Sequence, residues 1–94
     1  MDKILVLFTM KGCPYCEIMK EKLNENEINF VDRDIDEYSE EYDLFVEVTE
    51  NDFVPSFMII ESPEKNPKTH LYAPERDFNE LDDGIKIIKE HLKR

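Results

Sequence analysis

Lys3-Ile4-Leu5-Val6-Leu7-Phe8-Thr9 runs through Met10-Lys11-Gly12 into Cys13-Pro14-Tyr15-Cys16. A strand with one wet face alternates apolar and polar residues. Lys3 to Thr9 is instead apolar on both faces, which suits a central strand covered by helices on each side. Pro14 fits the first turn of a helix, where its missing N–H removes no bond. Tyr15, Ile18, Met19 and Leu23 continue at helical spacing, and Asn24-Glu25-Asn26 closes the segment. The two cysteines thus stand where a buried strand hands over to a helix.

Working outward, Ile28 to Asp34 reads as a second strand, and a strand–helix–strand opening implies a right-handed parallel crossover. Glu37 to Asn51 reads as a helix with Tyr38, Tyr42, Phe45, Val46 and Thr49 on its inner face. Pro55 precedes a third buried strand, Ser56 to Ile60. The polar turn Ser62 to Pro67 then joins it to an edge strand, Lys68 to Tyr72. Asp77-Phe78-Asn79-Glu80 has the spacing of a capping box. The helix after it turns Phe78, Leu81, Ile85, Ile88 and Leu92 inward and carries Lys89, His91, Lys93 and Arg94 in its last turn. The expected order is β-α-β-α-β-β-α, a single α/β domain over 1–94 with a four-stranded mixed sheet and helices on both faces. His70 and His91 are expected on the surface, without a catalytic role.

Composition narrows the function. Twelve Lys and Arg against 23 Asp and Glu leave the 94-residue chain at −11. A surface this acidic repels a phosphate backbone, so nucleic acid is not an expected partner. It is either an ordinary solvated face or a means of steering a basic partner. The longest apolar run, Ile4 to Phe8, is far short of the roughly 20 residues of a membrane span. Asp2 opens the chain without the pattern of a secretory leader. Nothing in the apolar pattern demands a dimer, so a monomer is expected.

Both cysteines lie in one Cys-X-X-Cys, too close together to staple distant segments. A reducing, cytoplasmic setting is therefore expected, and the pair needs a chemical explanation. At a helix N-cap, free N–H groups and the positive end of the dipole stabilise a Cys13 thiolate, and Lys11 adds positive charge two residues earlier. Cys16, one turn inside, lacks that help and keeps a higher pKa. Cys13 would attack a disulfide, and Cys16 would then attack Cys13 and release the reduced substrate. Two other readings stay open: a pair of buried structural thiols, or half of a zinc site lacking a second cysteine pair.

Thr9-Met10-Lys11-Gly12-Cys13-Pro14-Tyr15-Cys16 and, later, Val54-Pro55 resemble the dithiol glutaredoxins, within the thioredoxin-like superfamily, and the order of elements matches that fold from end to end. The resemblance implies a reductant of protein disulfides, ribonucleotide reductase among them, and of glutathione mixed disulfides. No cofactor is tightly bound, and glutathione is the co-substrate. It implies that Cys13 is the nucleophile and Cys16 the resolving thiol. Lys11 would attract the glutathione carboxylate and Tyr15 would line the groove. Val54, ahead of a cis Pro55, would pair with the tripeptide main chain as an added strand. Arg76 and Asp77 stand where the γ-glutamyl end would be held, with Asp77 also capping the last helix.

The sequence departs from the family pattern in two places. Phe53 replaces the usual threonine before Val-Pro, and Tyr72 to Asp77 has no glycine where the family has a Gly-Gly pair. These features resemble thioredoxins, which gives a second expectation, a carrier reduced by a flavoprotein. A third is a non-enzymatic carrier of an iron–sulfur cluster held by Cys13 and glutathione, against which Pro14 argues.

Overall fold

In a computed structural model, residues 3–93 are described. The order is β1 (Lys3–Thr9), α1 (Pro14–Glu25), β2 (Val31–Asp34), α2 (Ser39–Thr49), β3 (Ser56–Glu61), β4 (Lys68–Tyr72) and α3 (Leu81–Lys93). One sheet runs β2-β1-β3-β4. β2 lies parallel to β1, while β1–β3 and β3–β4 are antiparallel. This is the α/β architecture expected from the sequence, with β1 inside the sheet and β4 at an edge.

Alternation along β1 divides the core into two layers. Leu5 and Leu7 pack with Phe57 and Ile59 of β3, Met19 and Leu23 of α1, and Ile85 and Ile88 of α3. Val6 and Phe8 face the other way, against Tyr42 and Phe45 of α2. The Phe8 ring lies 5.5 Å from that of Tyr42 and 5.1 Å from that of Phe45, in tilted contacts that favour aromatic pairs. A strand that must fill both layers has no polar position to spare, which is why KILVLFT shows no alternation.

Five local expectations need correction. The second strand begins at Val31; Ile28 is buried, but its N–H closes the turn onto the Leu23 carbonyl at 2.9 Å instead of joining the ladder. The second helix begins at Ser39, with Tyr38 as a half-buried N-cap whose ring lies under the Arg33 guanidinium at 4.3 Å. On α1 the buried face is Cys16, Met19 and Leu23, while Tyr15 and Ile18 are exposed.

The fourth correction concerns α3, where Leu92 is exposed and His91 is only 5% exposed. Glu61, Tyr72 and Lys3 present polar groups to that part of the helix, so an imidazole fits there better than an isobutyl group. The fifth is Asp77, which does not cap α3. Its carboxylate accepts the Ala73 N–H at 2.8 Å and closes the turn after β4, and the Glu80 carbonyl receives the Asp83 and Gly84 N–H groups instead. Phe78 is buried, as expected, but precedes the helix. Arg94 lies outside the described residues.

Candidate active site

β1 ends in the loop that carries the cysteines. Gly12 takes φ +75°, a left-handed conformation that costs glycine little, and so brings the chain round to the helix. Cys13 is the N-cap of α1 and Pro14 opens the first turn. The Cys16 N–H donates to Cys13 Sγ at 3.2 Å, and the Glu17 N–H reaches the Cys13 carbonyl at 3.3 Å. The two cysteines form a disulfide, with Cα atoms 5.3 Å apart. Cys13 is 8% exposed and Cys16 1%. The N-cap cysteine is therefore the more exposed of the two, and a main-chain N–H points at its sulfur.

The start of this loop is pinned from β2. Thr9 Oγ1 donates to Asp32 Oδ1 at 2.6 Å, and Lys20 Nζ of α1 pairs with Asp32 Oδ2 at 2.8 Å. Partial burial pushes the Asp32 pKa up, but hydrogen bonds from Lys20 and Thr9 and the Lys20 charge together hold it below the usual value. Lys20 is correspondingly raised, chiefly by its hydrogen bond to Asp32 and against the pull of burial, with Glu17 contributing.

The signs give a pH prediction. A depressed Asp32 pKa stabilises the fold above the unfolded value of about 3.9, and this is lost as pH falls through the lower folded value. A raised Lys20 pKa stabilises below about 10.4, and this is lost as pH rises through the higher folded value. Asp32→Asn should flatten the stability profile at both ends. At neutral pH the cost should be about 1 kcal/mol at most, because the carboxylate is 42% exposed and screened. Urea unfolding across pH checks this; superimposable profiles for the two proteins would remove the pair from the account.

A groove of about 430 Å³ borders the N-terminus of α1. It is lined by Tyr15 of α1, by Phe53, Val54 and Pro55 ahead of β3, and by residues between Pro74 and Leu81, among them Glu75, Phe78 and Glu80. The Val54–Pro55 peptide is cis. Tyr15 and Phe53 are 65% and 51% exposed, so two aromatic rings stand beside the opening. The Pro74 to Leu81 part of the lining follows from the turn that Asp77 closes: Glu75 adopts φ +68°, its N–H donates to the Phe78 carbonyl at 2.7 Å, and Asn51 Nδ2 holds the Pro74 carbonyl at 2.7 Å.

Of the residues singled out from the sequence, Cys13 and Cys16 come together, and Tyr15, Val54 and Pro55 share the groove beside them. Lys11 is exposed in the loop and does not line the groove. Arg76 and Asp77 also stand outside it: Arg76 Nη1 bonds the Asp77 carboxylate at 2.8 Å and the Leu71 carbonyl at 3.3 Å. The sequence does not mark Glu75 as a site residue, and it marks Phe78, Asn79 and Glu80 only as part of a capping box. The only signal for them was their place beside the Tyr72 to Asp77 stretch that departs from the family pattern.

The glutaredoxin family model matches residues 5–61, which span β1 through β3 and include both cysteines and cis-Pro55. The chain belongs to the glutaredoxin family. Its fold is similar to that of the thioredoxin-like protein BC3987, with a TM-score of 0.59 at 14% identity over 88% of this chain and 97% of that one. A mutant of the same protein gives 0.60 at 13% identity, over 89% and 97%. No curated protein matches the chain in sequence. A glutaredoxin domain with a Cys-X-X-Cys at disulfide distance fits a thiol–disulfide oxidoreductase. Among the described residues, no helix of this glutaredoxin is long and apolar enough to cross a membrane.

Proposed function

We propose that the chain is a dithiol glutaredoxin that reduces protein disulfides and glutathione mixed disulfides, with glutathione returning the electrons. The observation that carries this reading is Cys13 at the N-cap, with the Cys16 N–H on its sulfur and Cys16 within disulfide reach. In the reduced protein, the Cys13 thiolate attacks one sulfur of the substrate disulfide. The S–S bond breaks and a mixed disulfide forms as the first thiolate leaves. Cys16 then loses its proton and attacks Cys13 Sγ; the second substrate thiolate leaves, and the Cys13–Cys16 disulfide holds the oxidation. Two glutathione thiols restore the dithiol, ending as glutathione disulfide. The cysteines carry both electrons, so no bound cofactor is required.

Val54 and cis-Pro55 are the edge on which an extended peptide, glutathione or a substrate segment, would lie, with Tyr15 and Phe53 against its side chains. Lys11, Arg76 and Asp77 would act on the ligand only from outside this groove. We place the activity in a reducing, cytoplasmic setting, in a monomer, with disulfide enzymes such as ribonucleotide reductase as the substrate class.

One observation favours a second electron donor. Glu75 and Glu80 line the same groove as Tyr15 and Phe53, and carboxylates there repel the two carboxylates of glutathione. A flavoprotein reductase would avoid that repulsion. Reduction of the Cys13–Cys16 disulfide should be followed with glutathione plus glutathione reductase, and separately with thioredoxin reductase, each supplied with NADPH. Fast reduction by glutathione is the expected result. Reduction by the flavoprotein alone would keep the dithiol chemistry and replace the donor.

A further inference from the structure

We infer that Glu61, His70 and His91 form a binding site for a divalent transition-metal ion of the zinc type, on the side of the sheet covered by α3 and built from groups that the dithiol chemistry does not use. The sheet register brings the three residues together. Ile59 pairs with His70 and Glu61 with Lys68, so Glu61 and His70 are diagonal neighbours on one face of the β3–β4 hairpin. The last turns of α3 lay His91 over the same face, with the His70 and His91 ring centroids 4.7 Å apart.

One ligand atom from each of the three residues lies within 4.8 Å of the other two. His70 Nε2 is 3.6 Å from Glu61 Oε2, and His91 Nδ1 is 3.7 Å from Glu61 Oε1. Four-coordinate zinc with bonds of about 2.0–2.2 Å separates its ligand atoms by roughly 3.3–3.5 Å. The two nitrogen–oxygen separations are each within a few tenths of an ångström of that edge but run to opposite oxygens of the carboxylate, so the three side chains, whose ligand atoms lie within 4.8 Å of one another, turn to bring their donors onto one ion.

The surroundings suit the donors. The Tyr72 hydroxyl is hydrogen-bonded to His91 Nε2, which fixes the ring with Nδ1 toward Glu61, as the second hydrogen bond of a metal-bound histidine does. Lys3 Nζ donates to the His91 carbonyl and stands 3.8 Å from Glu61 Oε1. It ties the His91 turn of α3 to the carboxylate. His70 Nε2 is shielded from solvent and makes no hydrogen bond. Two imidazoles and one carboxylate match the three-protein-ligand zinc sets, with water as the fourth ligand, and select against magnesium and calcium, which prefer all-oxygen sites.

The test uses the full chain without an affinity tag, with Cys13 and Cys16 held as the disulfide so that no thiolate competes. Zinc chloride is titrated calorimetrically into this protein and into His70→Ala, Glu61→Gln and, as a control for the acidic surface, Glu40→Gln. One equivalent of zinc should bind. His70→Ala and Glu61→Gln should each weaken binding at least about 10-fold, the scale on which even outer-shell partners act, and Glu40→Gln should leave it unchanged. Zinc should also raise the unfolding temperature of the parent and not of His70→Ala. His70 is only half-buried on an edge strand, so that variant should keep its circular dichroism. Equal zinc affinity in the parent and both ligand variants, or no saturable binding, would overturn the site and leave the cluster as two imidazoles packed beside a carboxylate.

Discussion

Cys13→Ser is expected to reduce disulfide turnover to the uncatalysed background, and Cys16→Ser to stop the reaction halfway. A serine hydroxyl neither ionises in the working pH range nor forms a disulfide, so losing the first sulfur removes the covalent step entirely. Losing the second leaves Cys13 joined to the substrate, because the group one helical turn away can no longer displace it. Intact-mass spectrometry should show the adduct in Cys16→Ser and none in Cys13→Ser. Protein-disulfide turnover by Cys16→Ser at the parent rate would remove Cys16 from the resolving role.

The same geometry sets how Cys13 should titrate. An ordinary thiol with a pKa near 8.5 is only about 3% thiolate at pH 7. The helix terminus and the Cys16 N–H favour the Cys13 thiolate and so raise that fraction, while intrinsic nucleophilicity falls with pKa at a Brønsted slope of about 0.4–0.5 and takes part of the gain back. The larger benefit falls on regeneration: the donor's thiol attacks the more exposed Cys13 and Cys16 leaves, and a second donor thiol then attacks the donor sulfur of that mixed disulfide, with Cys13 leaving as a stabilised thiolate. Alkylation of the reduced protein should proceed well below pH 8.5, and an ordinary thiol profile would sink the activation argument.

The parts of this molecule legible in its sequence are those fixed by local rules. KILVLFT announces a strand covered on both sides because each residue must fill one core layer or the other. Cys13-Pro14 announces an N-cap because proline tolerates that turn and few others. The failures arise where distant groups decide. The Asp77-to-Glu80 spacing fits a capping box, yet the Asp77 carboxylate finds the Ala73 N–H first. Helical periodicity favours Leu92 over His91 as the inward residue, and it has no means of registering Tyr72 and Glu61 on the sheet opposite. For the groove, Val54-Pro55 was readable as a motif. The wall from Pro74 to Leu81 was not, since it depends on the left-handed Glu75 and the short link between Pro74 and Phe78.

Phe57→Ala should be the most damaging core change, and its effect should extend to the groove. The ring is fully buried, stacked 5.1 Å from Tyr72 and 5.5 Å from Phe78, and lies 3.5 Å from where a Cβ on Gly84 of α3 would stand. Truncating a buried phenylalanine costs about 3–5 kcal/mol, because the transfer energy of the ring is lost and the cavity closes only in part. A chain of this size has about 5–15 kcal/mol in all, so the variant should unfold at a much lower urea concentration and be partly unfolded at 37 °C. Phe57→Leu keeps more of the volume and should cost less. Phe78 rests on this ring and lines the groove, so the leucine variant, still folded, should bind peptide substrates less tightly while Cys13 keeps its alkylation profile. A parent-like urea midpoint for Phe57→Ala would mean that the neighbouring side chains refill the space, and that Phe57 is not the support on which the Pro74 to Leu81 part of the groove stands.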